Sequence, residues 1–172
     1  TISDDLSLTA AFFESEQTVA SKDDVTGEDI DIKGLTVDGF EAELKGNLTD
    51  KFSLVAGFTA INGETSSGGE PREIPDQMLT LFGTYEISDK AGVAFGFTKQ
   101  GESNIKNNKP DLVLPSYTRF DMAAYYNISD DLVLRFNLEN LTDELYFPHS
   151  HSTHQVSAGE EKNVRVSISK KF

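Results

Sequence analysis

The segment FPHSHSTHQ, Phe147 to Gln155, sets His149, His151 and His154 within six residues. Imidazole titrates near neutrality and ligates Zn, Cu, Ni and Fe. Three of them close together can hold a divalent metal, touch a ligand, or simply make a polar loop. The spacing fits no H-E-x-x-H helix pattern. On an extended segment His149 and His151 point the same way, and His154 needs a turn to join them. No metal site is assigned, and the histidines stand as candidate ligand contacts. Arg72, Tyr117 and Tyr146 join them as candidate ligand contacts, because a guanidinium and two phenols suit a partly anionic ligand; each also has an ordinary structural role open to it. Little else points to bond-making chemistry. The chain has no cysteine, no nucleophile beside a base and an orienting group, and no Gly-rich phosphate loop. Glu41 and Glu43 lie two apart on one face, which a polar interior explains. The expectation is a protein that is not an enzyme, with no catalytic residue, no cofactor and no metal. A net charge of -14 argues against nucleic acid as a partner, since a phosphate backbone needs a basic patch.

The elements that position these residues are strands. Leu132, Leu134, Phe136 and Leu138 alternate with Val133, Arg135, Asn137 and Glu139, a period of two. The same alternation gives apolar faces at Leu6–Phe12, Phe40–Leu48, Phe52–Ala60, Leu79–Ile87, Val93–Phe97, Phe120–Ile128 and Val164–Phe172. That makes eight strands and no helix longer than a turn. A four-residue signature, apolar–hydroxyl–Asp–Asp/Lys, recurs at Ile2–Asp5, Leu48–Lys51, Ile87–Lys90 and Ile128–Asp131. Asp, Ser and Thr favour tight turns. Each interval of about forty residues holds one strand up, a connection and one strand down. Two strands of about 11 residues leave roughly 15–20 for the connection. Short turns therefore lie at one end of the sheet, and long loops near Ser21–Gly34, Gly63–Asp76, Gly101–Ser116 and Glu144–Lys162 lie at the other.

An antiparallel up-and-down meander with this loop asymmetry is the layout of a transmembrane β-barrel. About 11 residues at a rise of about 3.3 Å, tilted near 45°, cross about 25 Å of hydrocarbon. A closed barrel pairs every backbone group, as lipid requires. Tyr85, Tyr117, Tyr126 and Tyr146 near strand ends suit interfacial girdles, or are ordinary strand aromatics. A soluble antiparallel sandwich or binding module shows the same alternation, but its loops tend to be of mixed length at both ends.

Several motifs in order carry a family resemblance. NLENLTDELYF, Asn137–Phe147, resembles the N-x-x-N-L-x-D-x-x-Y motif of TonB-dependent receptors, at Asn137, Asn140, Leu141, Asp143 and Tyr146. GFEAELKGNLTDKFSLVAGFTAINGE resembles that family's G-x-E-x-E strand and following hairpin. IPDQMLTLFGTYEIS and PSYTRFDMAAYYNIS resemble its later strands. The end, NVRVSISKKF, resembles the terminal strand whose last aromatic, here Phe172, is read by the barrel-assembly machinery. Lys170 stands where that class has an apolar residue, a departure its stem can accommodate by snorkelling.

The resemblance implies an all-β fold within a barrel of 22 strands that encloses a plug domain. Residues 1–172 then form a C-terminal barrel segment, about a third of such a receptor, without the plug or the segment that engages TonB. It implies a bacterial outer-membrane location, short turns toward the periplasm, lipid around the barrel, a ferric-siderophore-type iron chelate as ligand, and TonB as energy source. Eight strands are also enough to close alone. That gives the alternative of a complete small barrel in adhesion or envelope stability. Closure would crowd Glu41, Glu43, Arg119, Asp121, Arg135, Glu139 and Arg165 into a narrow interior, where they would have to pair.

Overall fold

The computed structural model describes residues 5–171. Eight strands form one antiparallel meander: β1 (Leu6–Lys22), β2 (Asp29–Thr49), β3 (Phe52–Thr65), β4 (Gln77–Ser88), β5 (Ala91–Gln100), β8 (Tyr117–Ser129), β9 (Leu132–Glu139) and β12 (Asn163–Lys170). Two small hairpins lie in the loops, β6 (Ser103–Asn104) with β7 (Val113–Leu114), and β10 (His149–Ser150) with β11 (Val156–Ser157). The sheet is open. Among the described residues β1 and β12 do not pair, so eight strands do not close here into the small barrel that the sequence allowed. Phe172 and most of the first turn signature lie outside the described residues.

The register aligns the apolar faces expected from the sequence into rows across the sheet. Leu8, Leu44, Ala56, Leu81, Phe97 and Phe120 stand directly opposite one another in turn. A neighbouring row runs Leu54, Gly83, Phe95, Met122, Leu138 and Val164. Side-chain period two makes such agreement all or nothing, because a one-residue slip in any strand would turn its set to the other face. Phe12, Met122 and Ile168, which belong to this face, are 85%, 47% and 67% exposed. A water-soluble core would hide them; a lipid-facing wall presents them.

The recurring turn signature builds one local structure. At each of the three described copies a two-residue loop joins the strands, and the register shifts at Asn47/Thr49, Glu86/Ser88 and Asn127/Ser129. The residues skipped are Leu48, Ile87 and Ile128, the apolar member each time. A bulge thus follows the signature at each turn and leaves the apolar residue on the lipid-facing side at the rim, where the alternation of its strand already puts it. The hydroxyl stabilises the turn: Thr49 Oγ1 accepts from the Phe52 amide at 3.1 Å, and Ser88 Oγ from the Lys90 amide at 3.3 Å. Ser129 Oγ instead donates to Asp131 Oδ1 at 2.6 Å.

One expected loop is not a loop. Ser21–Gly34 is mostly strand, because β1 and β2 stay paired up to Lys22 and Asp29 and turn only at residues 23–28. Asp23 caps that turn, accepting from the amides of Thr26 and Val25 at 2.6 and 2.9 Å. The Thr26 amide bond, with that of Val25, holds its carboxyl below the usual carboxylate range. This ribbon projects beyond the apolar band and has eight carboxylates against two lysines between residues 14 and 38, which places it in water. Its apolar residues change sides. Below Phe12 and Phe40 they face lipid; above, Phe13, Val19, Ile32, Leu35 and Val37 share the opposite face. The change at Phe12/Phe13 marks the edge of the hydrocarbon. Gly34 is skipped in the register between Gln17 and Thr18, and a Cβ there would come within 2.8 Å of the Gln17 carbonyl oxygen. This bulge keeps Ile30 and Ile32 on the same side as Leu35.

Candidate functional site

The polar face, opposite the lipid-facing rows, becomes densest in function-bearing groups at the loop end of β8. Tyr117, Arg119 and Asp121 are two apart and share that face. Arg119 donates through Nε and one terminal nitrogen to Asp121 Oδ2, at 3.1 and 2.9 Å. Its other terminal nitrogen donates to the Tyr146 hydroxyl at 2.9 Å. The Tyr117 ring lies 4.7 Å from that of Tyr146, and its hydroxyl donates to Gln100 Oε1 at 3.2 Å. The result is a fixed guanidinium flanked by two phenol rings, with Tyr117 half-buried and Tyr146 only 5% exposed.

The motif around Asn140 explains why Tyr146 is there. After β9 the chain turns through two left-handed residues, Asn140 at φ 50° and Asp143 at φ 55°, a conformation Asn and Asp tolerate better than other side chains. The Asn140 amide nitrogen Nδ2 donates to the carbonyls of Glu144 and Glu160 at 2.9 and 3.0 Å, and its Oδ1 accepts from the Glu144 amide at 2.9 Å. The Asn140 backbone amide donates to Asp121 Oδ1 at 2.9 Å, and the Leu141 amide to the Phe120 carbonyl at 2.7 Å. Asp143 Oδ1 accepts from the Lys162 amide at 2.8 Å. These bonds fasten β8, the turn and the approach to β12 into one unit. Asn137 sits on the polar face opposite Ala123 and Arg165. Tyr146 closes the unit by lying flat on Gly159, whose amide donates to the Tyr146 carbonyl at 2.8 Å.

A Cβ at position 159 would collide with the Tyr146 ring. Gly159→Ala is therefore expected to cost about 1–3 kcal/mol by overpacking and to loosen the Arg119–Tyr146 bond. A double-mutant cycle with Tyr146→Ala checks it. The Gly159→Ala cost should shrink sharply once the ring is gone, and an unchanged cost would count against this packing account.

Two of the loops form a second feature. The connections after β3 and β5 enclose a cavity of about 280 Å³ lined by Glu70, Asp76, Glu102, Ser103, Asn104 and Ile61, among others. Asn104 is 5% exposed and donates to Glu70 Oε2 at 2.6 Å. Arg72 lies outside it, exposed, with its Nε 3.8 Å from Glu73 Oε2. Its backbone amide donates to Asn107 Oδ1 at 2.8 Å.

The histidines occupy the β10–β11 hairpin and are exposed. The rings of His151 and His154 come to 5.4 Å. Among the described residues no three metal-ligating side chains gather. Of the six candidate contacts, Tyr117 thus stands in the polar-face cluster, the histidines and Arg72 are exposed on loops, and Tyr146 is buried against Tyr117, Arg119 and Gly159. Burial also removes Tyr146 from any interfacial girdle, whereas Tyr85 and Tyr126, 47% and 49% exposed, flank the short turns on the lipid-facing side. Sequence reasoning named Arg119 and Asp121 only as polar-face charges. Their signal was the R-x-D spacing, which on a strand puts an ion pair on one face.

Residues 3–141 match the family described as TonB dependent receptor-like, beta-barrel. The probable TonB-dependent siderophore receptor PiuA of Acinetobacter baumannii is 28% identical over 188 residues, covering 97% of this chain and 25% of that protein. The crystal structure of that receptor superposes with a TM-score of 0.82 at 27% identity, over 98% of this chain and 26% of that one. The ferripyoverdine receptor of Pseudomonas aeruginosa, solved bound to ferripyoverdine, gives a TM-score of 0.80 at 26% identity, over 97% of this chain and 25% of that one. The chain spans about a quarter of the length of the curated relatives it matches. With its meander, its lipid-facing rows and its Asn140 unit, the chain belongs to the TonB-dependent receptor family and is part of that family's outer-membrane β-barrel.

Proposed function

We propose that the receptor to which this chain contributes barrel wall imports a ferric-siderophore-type chelate across the bacterial outer membrane, with TonB supplying the energy. The observation that carries this reading is the match of nearly the whole chain to proteins named as siderophore receptors. The site geometry is compatible with it. The Arg119–Tyr117 cluster faces the polar interior, and the exposed His149, His151, His154 and Arg72 stand on loops where an arriving ligand would first touch. Tyr146 acts through Tyr117 and Arg119, holding both in place. In this reading the plug domain and the TonB-engaging segment belong to the remainder of the receptor. Outer-membrane lipid surrounds the wall, and the barrel-assembly machinery inserts it.

Uptake of radioactive iron presented on a panel of purified siderophores tests this. Deletion of the receptor gene should abolish uptake from at least one siderophore, and deletion of tonB should do the same. Undiminished iron uptake from every siderophore after receptor deletion, in a strain without a second receptor of this family, would refute it.

A further inference from the structure

We propose that His151 and His154 form a two-imidazole site for a borderline divalent cation such as Zn²⁺, Ni²⁺ or Cu²⁺. The hairpin holds them in place. His149 pairs with Ser157 and Ser150 with Val156, and the His151 amide donates to the Gln155 carbonyl at 2.7 Å. A single 3-10 turn, Ser152–His154, then folds the tip back. This is the turn that the sequence requires for His154 to meet an upstream histidine. The ring centroids lie 5.4 Å apart with planes inclined at 77°. A Zn–N bond is about 2.0–2.1 Å, so two imidazoles on one tetrahedral cation have centroids roughly 5.2 Å apart. The separation already matches. Imidazole χ2 is a broad torsion, and rotation about it turns a nitrogen of each ring toward a common point.

Two further observations define the ligand class. No third His, Cys, Asp or Glu joins the pair among the described residues. The protein would therefore fill two positions and leave the others to water or to donor atoms of a small chelator. Imidazole favours Zn, Cu and Ni over Mg and Ca, which prefer oxygen. The many carboxylates of this chain also bind such ions, but singly and more weakly than a pair of imidazoles, and an excess of hard ions occupies them.

The test uses the intact receptor in detergent micelles, with Mg²⁺ and Ca²⁺ in excess to occupy carboxylates. Ni²⁺ is titrated calorimetrically, and Cu²⁺ is added in parallel for electron paramagnetic resonance. The expected result is one tight equivalent, with nitrogen hyperfine structure from two imidazoles. Binding should be lost in His151→Ala and in His154→Ala and kept in His149→Ala. Heat-modifiable migration on gels verifies that each variant is folded. No binding by the wild type, binding that survives both substitutions, or loss in His149→Ala as well would overturn the assignment. Because the readout is binding alone, it stands or falls separately from the uptake reading.

Discussion

Asn140→Ala is expected to destabilise the receptor by about 3–5 kcal/mol, a large share of a typical folding free energy. Asn140 is 1% exposed, and its side chain satisfies the Glu144 amide and the Glu144 and Glu160 carbonyls. Truncation leaves those groups short of a partner, at the lower end of about 1–3 kcal/mol for each, since Glu144 and Glu160 are themselves exposed residues. Alanine must also adopt φ near 50°, which adds about 1–2 kcal/mol for a residue with a Cβ and no compensating side chain. Asn140→Gly separates the two contributions. It removes the backbone cost and keeps the hydrogen-bond loss, so it should recover about 1 kcal/mol and no more. The measurement is the temperature at which the folded, heat-modifiable band disappears, together with the amount of receptor in outer membranes. A melting temperature indistinguishable from wild type for Asn140→Ala would mean that the Asn140 side-chain bonds are not what holds the turn to the approach to β12.

The wall itself was legible because lipid imposes the strictest pattern a strand can show. Leu44 and Leu81 must face hydrocarbon while Glu43 and Thr80 face the polar side, and a period of two records that choice residue by residue. Where lipid ends, so does the constraint. From Glu14 to Asp38 the charges of the paired strands gather on the side that faced lipid below, and the apolar residues change sides at Phe12/Phe13 and change parity again at Gly34. A single running alternation therefore breaks twice, and paired strand was read as loop. Ile30 and Ile32 between Asp29, Asp31 and Lys33 carried a short alternation of their own that the broken phase concealed. The site was harder for a different reason. The roles of Tyr146 and Gly159 depend on a contact between residues 13 positions apart in a segment without periodicity. Nothing in the types of those residues says that the ring will be buried. The resemblance to the N-x-x-N-L-x-D-x-x-Y motif named Asn140, Asp143 and Tyr146 together, but their reach to Glu160, Lys162 and Gly159 was not in the spacing.

If the rows through Leu81 face hydrocarbon, a charge placed there should cost in proportion to its depth. From Phe40 to Leu48 the lipid-facing side of β2 rises about 26 Å along the strand, or about 19 Å along the membrane normal at a tilt near 45°. Leu81, opposite Ala56 and Phe97, lies well inside that band, and Leu48 lies at its rim beside the turn. Leu81→Arg is expected to cost about 2–4 kcal/mol, and Leu48→Arg only about 0–1, since a long cationic side chain at the rim reaches headgroups. Thr80→Arg, one residue from Leu81 but on the polar side, removes no apolar contact with lipid and should fall close to Leu48→Arg. Unfolding measured in lipid vesicles for the three variants gives the profile. A soluble barrel with this face turned inward would instead punish Leu81→Arg just as severely in detergent-free buffer. It would also remain monomeric there, which the exposed Phe12, Met122 and Ile168 forbid for a protein in water. A flat profile, with all three arginines costing the same, would remove the physical basis for placing the bilayer against these rows, whatever the family resemblance.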